Sequence, residues 1–210
     1  MEIEKIGRKE REYLAHRQEI LSAAERVFAA KGFFPTTMSE IAHEAEFGTG
    51  TLYKYFKSKE DLYFTLIDEK VAEINQLVMA ELSKKVSALE RIEKALRLQF
   101  EFIERNRDFF RIYISERSRF EWTVKDDLGK GIHDKMVAYI EALSQVMKQG
   151  VKEGEFNPAD PMDLAHALVG IVNSLVFEWL ISPKHYPLIS KMETALEIFL
   201  RGAQRTERRR

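Results

Sequence analysis

The sequence predicts an all-α fold of about nine helices, and three observations lead there. Glycine (10) and proline (5) are scarce among the 210 residues while Glu, Lys, Leu and Ala abound, which is a helical composition. Apolar residues recur three and four apart in one segment after another. No stretch keeps a two-residue alternation, and no Asn-Gly or Asp-Gly pair marks a hairpin.

The elements follow in order. A first helix covers Lys9 to Lys31, with Ile20, Ala24, Val27 and Phe28 at helical spacing and Gly32 placed to end it. After Pro35, either Thr36 or Thr37 caps a second helix whose inward positions are Met38, Ile41, Ala42 and Ala45. A turn at Phe47-Gly48-Thr49-Gly50 leads into the short run Thr51 to Phe56. Ser58 with Asp61 three residues later opens a long helix striped by Phe64, Ile67, Val71, Ile74 and Val78. Ser87 to Arg105 carries Leu89, Ile92, Leu96, Phe100 and Ile103 on one face, and Arg107 to Ile114 is short and aromatic. Asp126 to Gln149 shows Leu128, Ile132, Met136, Ile140, Leu143 and Met147, and Lys152 to Pro158 reads as a polar loop. Asp160-Pro161 supplies a cap with proline in the first turn of a helix that Pro183 stops. A last helix from about Ser190 to Gln204 presents Met192, Leu196 and Phe199.

Composition bounds the function. With 45% hydrophobic residues the chain is too apolar to be disordered. The absence of cysteine excludes a disulfide framework, a zinc ribbon and an iron–sulfur site, and fits a cytoplasmic protein. Met1 to Arg11 lacks the apolar core of a signal peptide. The most apolar stretch, Leu164 to Ile181, is interrupted by His166, Asn173 and Glu178; it reads as a helix with two covered faces, not as a membrane span. No pair among His16, His43, His133, His166 and His185 stands three or four apart, so metal ligation has no support, and no cofactor is expected. Gly129-Lys130-Gly131 lacks the upstream glycine and the following Ser or Thr of a phosphate loop, and no Gly-x-Ser-x-Gly or His-Glu-x-x-His occurs. Nothing points to an enzyme or a catalytic residue.

The opening helices carry the functional signal. Three short helices opening a longer all-α protein suggest a helix-turn-helix. Phe47 and Leu52 can plug the turn, leaving Thr49 to Lys54 as the start of a recognition helix whose small side chains permit close approach to a major groove. Tyr53, Tyr55, Lys57 and Lys59 can hydrogen-bond or neutralise phosphates. The stretch Thr37-Met38-Ser39-Glu40-Ile41-Ala42, then Gly50-Thr51-Leu52-Tyr53-Lys54-Tyr55-Phe56-Lys57-Ser58-Lys59-Glu60-Asp61-Leu62, resembles the TetR-type repressor signature, as do Ala23, Ala24, Phe28 and Gly32-Phe33 before it. The match covers about residues 15 to 65.

The resemblance implies a ligand-responsive regulator that binds double-stranded DNA at a palindromic operator as a homodimer and leaves it when a small molecule binds. It implies core roles for Leu52 and Phe56, phosphate contacts for Tyr53, Tyr55 and Lys59, and DNA-facing positions for Thr37, Ser39, Thr49, Gly50, Thr51 and Lys54. The chain departs from the family in the turn, where Ala-Gly-Val is usual and Ala45-Glu46-Phe47 stands. Either Glu46 carries a positive φ or Gly48 supplies the freedom. Glu46 also sets a negative charge near DNA.

The expected organisation is a DNA-binding domain over 1–60, an effector-binding and dimerisation domain over 61–205, and a basic tail over 206–210. In such proteins the last two long helices meet their mates in a four-helix bundle. Leu164, Leu168, Ile171, Leu175 and Trp179, with Met192, Leu196 and Phe199, are the candidates here, leaving Val169, Val172, Val176 and Leu180 for a pocket wall. Pocket candidates are Phe100, Phe109, Phe110, Tyr113, Trp122, Met136, Tyr139, Ile140, Asn173 and Phe177, which suit a lipophilic or aromatic effector. Asn173 is the informative one, because an amide in an apolar helix must find a partner. The rival readings are an all-α small-molecule-binding protein or enzyme with a vestigial helix-turn-helix, and an architectural DNA-binding protein without an effector.

A net charge of −1 at first sight disfavours nucleic acid. It is an average over unlike surfaces: residues 1–60 hold ten bases and ten acids, yet Phe47 to Lys59 has three lysines and no acid. Lys5, Arg8, Lys9 and Arg11 form either a solvated arm or a phosphate contact, and Arg208 to Arg210 read as a frayed tail.

Overall fold

The computed structural model describes residues 7–117, 127–182 and 186–203, with side chains at 115–117 and 127–129 left aside. Within them the chain forms nine α-helices and no strand. The first three are α1 (Arg8–Lys31), α2 (Met38–Glu44) and α3 (Thr49–Tyr55). The middle four are α4 (Lys59–Leu82), α5 (Ala88–Arg105), α6 (Arg107–Arg117) and α7 (Asp127–Glu153), and α8 (Pro161–Ile181) and α9 (Ser190–Ala203) complete the order.

The caps anticipated by the sequence are in place. Gly32 ends α1 at φ 83°, a backbone region that favours glycine. Thr37, not Thr36, caps α2: its hydroxyl accepts from the Glu40 amide at 3.3 Å while the Glu40 carboxylate accepts from the Thr37 amide at 2.9 Å. Thr36 turns back instead, donating to the Gly32 carbonyl at 2.7 Å. Lys31 pairs with the same carboxylate, and these contacts hold the Glu40 pKa at about 2. Ser58 caps α4 and Asp160 caps α8, with Pro161 in the first turn.

One stretch corrects the sequence reading. The helix α7 runs on through Glu153, so Lys152 and Glu153 belong to it and not to a loop. Gly150 sits where a Cβ would come within 2.4 Å of the Phe156 ring, so the following segment folds tightly back over the last turn. Gly154, at φ 78°, makes that reversal possible. The carboxylate of Glu155 then accepts from the Ala88 and Leu89 amides, both at 3.0 Å, satisfying two donors at the start of α5.

The buried side chains gather in two cores. One closes around Ile20, Phe28, Ile41, Leu52 and Phe56 of α1 to α3 and takes in Leu62, Leu66 and Ile67 of α4. It does not stop at residue 60, for Phe109 and Ile112 of α6 and Ile132 of α7 belong to it as well. The other joins α5, α7, α8 and α9 around Ile92, Phe100, Met147, Leu168 and Phe199.

By length and composition α8 could cross a membrane, with a mean hydropathy of 1.7 over its most apolar window. Here it packs against α7 and α9. Within the protomer one side is covered, while Asp163, Ala167, Gly170, Ser174, Phe177 and Ile181 remain exposed on the other.

Candidate nucleic-acid interface and effector cavity

In α3 the residues divide cleanly between inside and outside. Leu52 is fully buried and Phe56, the residue that ends the helix, is buried beside it. Gly50, Tyr53 and Lys54 face solvent, followed by exposed Lys57, while Thr49 and Thr51 are half-buried. A Cβ at Gly50 would meet nothing, so that edge is open to approach from outside. Thr37 and Ser39 of α2 are exposed on the surface, although the Thr37 hydroxyl is engaged with Glu40.

Two of the expected phosphate contacts have other partners. The Lys59 ammonium donates to the carbonyls of Phe33 at 2.9 Å, Phe34 at 3.1 Å and Thr36 at 2.7 Å, and lies 4.3 Å from the Phe33 ring centroid. All three of its donors are used in tying the α1–α2 connection to the start of α4. Within the protomer Lys59 thus has a structural role at this connection. The Tyr55 hydroxyl lies 3.2 Å from His16 Nδ1, and its ring stacks on Tyr13 at 4.7 Å. Tyr55 thus braces α3 against α1. Tyr13 escaped the sequence reading because no spacing rule joins positions so far apart in the chain.

The turn before α3 resolves the question at Glu46. Its φ is 60°, the one positive value on a non-glycine among the described residues. Gly48, at φ −69°, is an ordinary N-cap. Hydrogen bonds from the Ala45 amide to Ile41 and from the Phe47 amide to Ala42, both 2.9 Å, close the turn around that strained residue. The carboxylate of Glu46 has no partner among the described residues, so nothing in its side chain offsets the strain.

A cavity of about 710 Å³ lies between α4, α5, α6, α7 and α8. Of the sequence candidates, Phe109, Phe110, Tyr113, Met136, Tyr139, Ile140, Asn173 and Phe177 line it. Phe100 does not: it is fully buried in the core that joins α5 to α7, α8 and α9. Trp122 lies outside the described residues. The sequence missed Asn75 and Gln99, polar residues on helices read for their apolar stripes, together with Ser174. Val71 and Ile74, on the apolar stripe of α4, are part of the wall. Val169, Val172 and Val176 do form the α8 wall, whereas Leu180 is buried and not part of it.

The polar groups of the cavity are neutral. Tyr139 donates to Gln99 Oε1 at 3.4 Å, and burial of its hydroxyl end pushes its pKa up to about 12, so it stays protonated. Asn75 donates to the Lys135 carbonyl at 3.0 Å. Asn173 is exposed at the rim and makes no hydrogen bond among the described residues.

The candidates for a partner-facing surface are rearranged. Leu164, Leu168, Trp179, Met192, Leu196 and Phe199 are buried inside the protomer's own core, and Ile171 and Leu175 pack half-buried against it. Both apolar faces named from the sequence are thus intramolecular. Besides Ser174 and other polar residues, those left outward on these two helices are Met162, Ala167, Gly170, Phe177 and Ile181 on α8, and Ile198 and Gly202 on α9. An apolar helix surrounded by hydrophobic side chains does not reveal by periodicity which side its own protomer will cover.

The DNA-facing part and the cavity share walls. Phe109 lines the cavity and belongs to the core under α1 to α3. Arg111 of α6 donates to the Ala29 carbonyl of α1 at 3.0 Å. Lys70 of α4 bonds Asn106, the residue joining α5 to α6, at 2.7 Å and pairs with Glu25 of α1 at 3.6 Å. No group of three or more acidic, His or Cys side chains suited to a metal occurs among the described residues.

Comparison with known proteins adds the following. Residues 20–66 match the family described as bacterial regulatory proteins, tetR family, and residues 85–180 match the tetracyclin repressor-like C-terminal domain. The fatty acid metabolism regulator protein of Bacillus subtilis is 24% identical over 185 residues, covering 88% of this chain and 93% of that protein. The HTH-type transcriptional regulator YfiR of Bacillus subtilis is 30% identical over 162 residues, 69% of each chain. Among solved structures, the ketosteroid transcriptional regulator KstR2 of Mycobacterium tuberculosis superimposes with a TM-score of 0.75 at 25% identity, over 90% of this chain and 95% of that one.

Proposed function

This chain belongs to the TetR family of bacterial regulatory proteins and is a ligand-responsive, DNA-binding transcriptional regulator, and from that premise we propose how it works. It represses by binding a palindromic operator as a cytoplasmic homodimer and is released by a lipophilic small molecule. The observation that carries this reading is the sharing of walls: α4 and α6 line the apolar cavity and also pack into the core that seats α3. A ligand that prefers one arrangement of those helices shifts the spacing of the two recognition helices by its differential affinity for the two states. Two such helices must stand about 34–36 Å apart to enter successive major grooves.

Contacts to DNA fall to Thr49, Gly50, Thr51 and Lys54 in the groove, to Tyr53 and Lys57 at phosphates, and to Ser39 at the edge of α2. The second copy seats on the outward face of α8 and α9, around Gly170, Ser174, Phe177 and Ile198. Names of similar proteins support the lipophilic effector: one is a regulator of fatty acid metabolism and another a ketosteroid regulator. The apolar wall of the cavity supports it independently.

The test is selection of bound fragments from the host genome, followed by anisotropy titrations on the recovered palindrome. Tyr53→Ala with Lys57→Ala should weaken binding to every sequence, and Lys54→Ala should change the preferred one. Unchanged affinity in the double variant would refute the assigned surface.

A further inference from the structure

We propose that the cavity selects an uncharged lipophile bearing a hydrogen-bonding oxygen, and that it rejects an ionised group placed on the buried body of the ligand. This deepens the reading of the cavity as the effector site and rests on it.

Every described residue of the wall is neutral. Val71, Ile103, Ile140 and Val172 supply apolar surface, and the polar groups are amides and hydroxyls. An anion or a cation carried into such a space loses its water and finds no opposite charge, whereas a hydroxyl, ketone or ester can be satisfied by a single dipole. The dipoles are placed for this. Tyr139 and Gln99 are bonded to each other across α5 and α7, which leaves the Gln99 amide NH2 without a protein partner among the described residues. On α8, the Asn173 amide lies exposed at the rim and bonds no described residue. The Gln99 amide on the wall and the Asn173 amide at the exposed rim are both open to an oxygen acceptor carried by an otherwise hydrocarbon ligand. Any charge the ligand does carry must stay outside this apolar space.

The experiment compares two fluorescent probes of nearly the same shape, N-phenyl-naphthylamine and anilinonaphthalene sulfonate, which differ by one ring-borne sulfonate. The sulfonate sits on the fused ring and cannot be left outside while that ring is buried. Titrated against the whole chain, the neutral probe should bind at least about 30-fold more tightly, equivalent to about 2 kcal/mol. Because the neutral probe is also the more lipophilic, the same ratio is measured in Gln99→Lys, which sets an ammonium on the wall. There it should shrink by about tenfold or more. Equal affinities in the native chain, or a ratio unmoved by Gln99→Lys, would overturn the proposal. Binding is read directly from probe fluorescence, so selective binding that leaves operator occupancy unchanged would count against the effector reading and not against the selectivity.

Discussion

Replacing Glu46 by glycine should make the protein more stable, and the structure gives the size of the effect. Glu46 is held at φ 60° in the turn between α2 and α3. A left-handed backbone costs an ordinary L-residue about 1–2 kcal/mol, and glycine removes that cost. Glycine also gives the unfolded chain more freedom, which takes back roughly 0.5–1 kcal/mol. The Glu46 side chain is exposed and makes no contact that the substitution would lose. The net gain is therefore about 0–1.5 kcal/mol, or a rise of up to roughly 3–6 °C in the melting temperature for a chain of this size. Glu46→Gln separates the two properties of the residue, since it removes the charge and keeps the strain. The glycine variant should melt above the glutamine variant in parallel calorimetric scans. Both should bind operator about two- to fivefold more tightly than the native chain at low salt, the advantage fading as salt is raised. A glycine variant no more stable than the glutamine variant would refute the assignment of strain to this turn.

Other outcomes follow from the same geometry. Gly150→Ala drives a Cβ to 2.4 Å from the Phe156 ring and should destabilise the chain by about 1–3 kcal/mol in urea unfolding. Lys59→Met leaves three carbonyls without their donor and should cost about 2 kcal/mol of stability while leaving the salt dependence of DNA binding intact; Lys57→Ala should do the reverse, reducing that slope by about 0.9. The Glu40 pKa is lowered to about 2 from 4.5 by Lys31 and Thr37, so its stabilising contribution is complete above pH 4.5 and is lost as pH falls towards 2. Acid unfolding of Glu40→Gln should lack that part of the pH dependence. Gly170→Arg places a long cation on an open face where a Cβ meets nothing, so the protomer should fold, sediment as a monomer and lose operator binding.

Much of this architecture was legible because local rules decide it. The caps at Thr37, Ser58 and Asp160 and the stop at Gly32 follow from side-chain oxygens near free amides and from the conformational freedom of glycine. The recognition helix was legible for a second reason: its inward Leu52 and Phe56 and outward Tyr53 and Lys54 are set by helical period over a few residues. The cavity was legible in part, since its aromatic residues stand out in composition while Gln99 and Asn75 do not.

What the chain determines by itself, then, is the all-α class, the order and caps of the helices, and the family that the run Leu52 to Asp61 marks. Tertiary structure alone decided the rest. It gave Lys59 three carbonyls on the α1–α2 connection and tied Tyr55 to α1. It put most of the large apolar residues of α8 and α9 inside the protomer, leaving Phe177, Ile181 and Ile198 outward among smaller ones. It also sent Phe100 into the core while its neighbours lined a cavity. The physical reason is the same each time. Helical period tells which residues share a face, but the partner of that face is chosen by packing among elements distant in sequence, where burial of the largest apolar area wins.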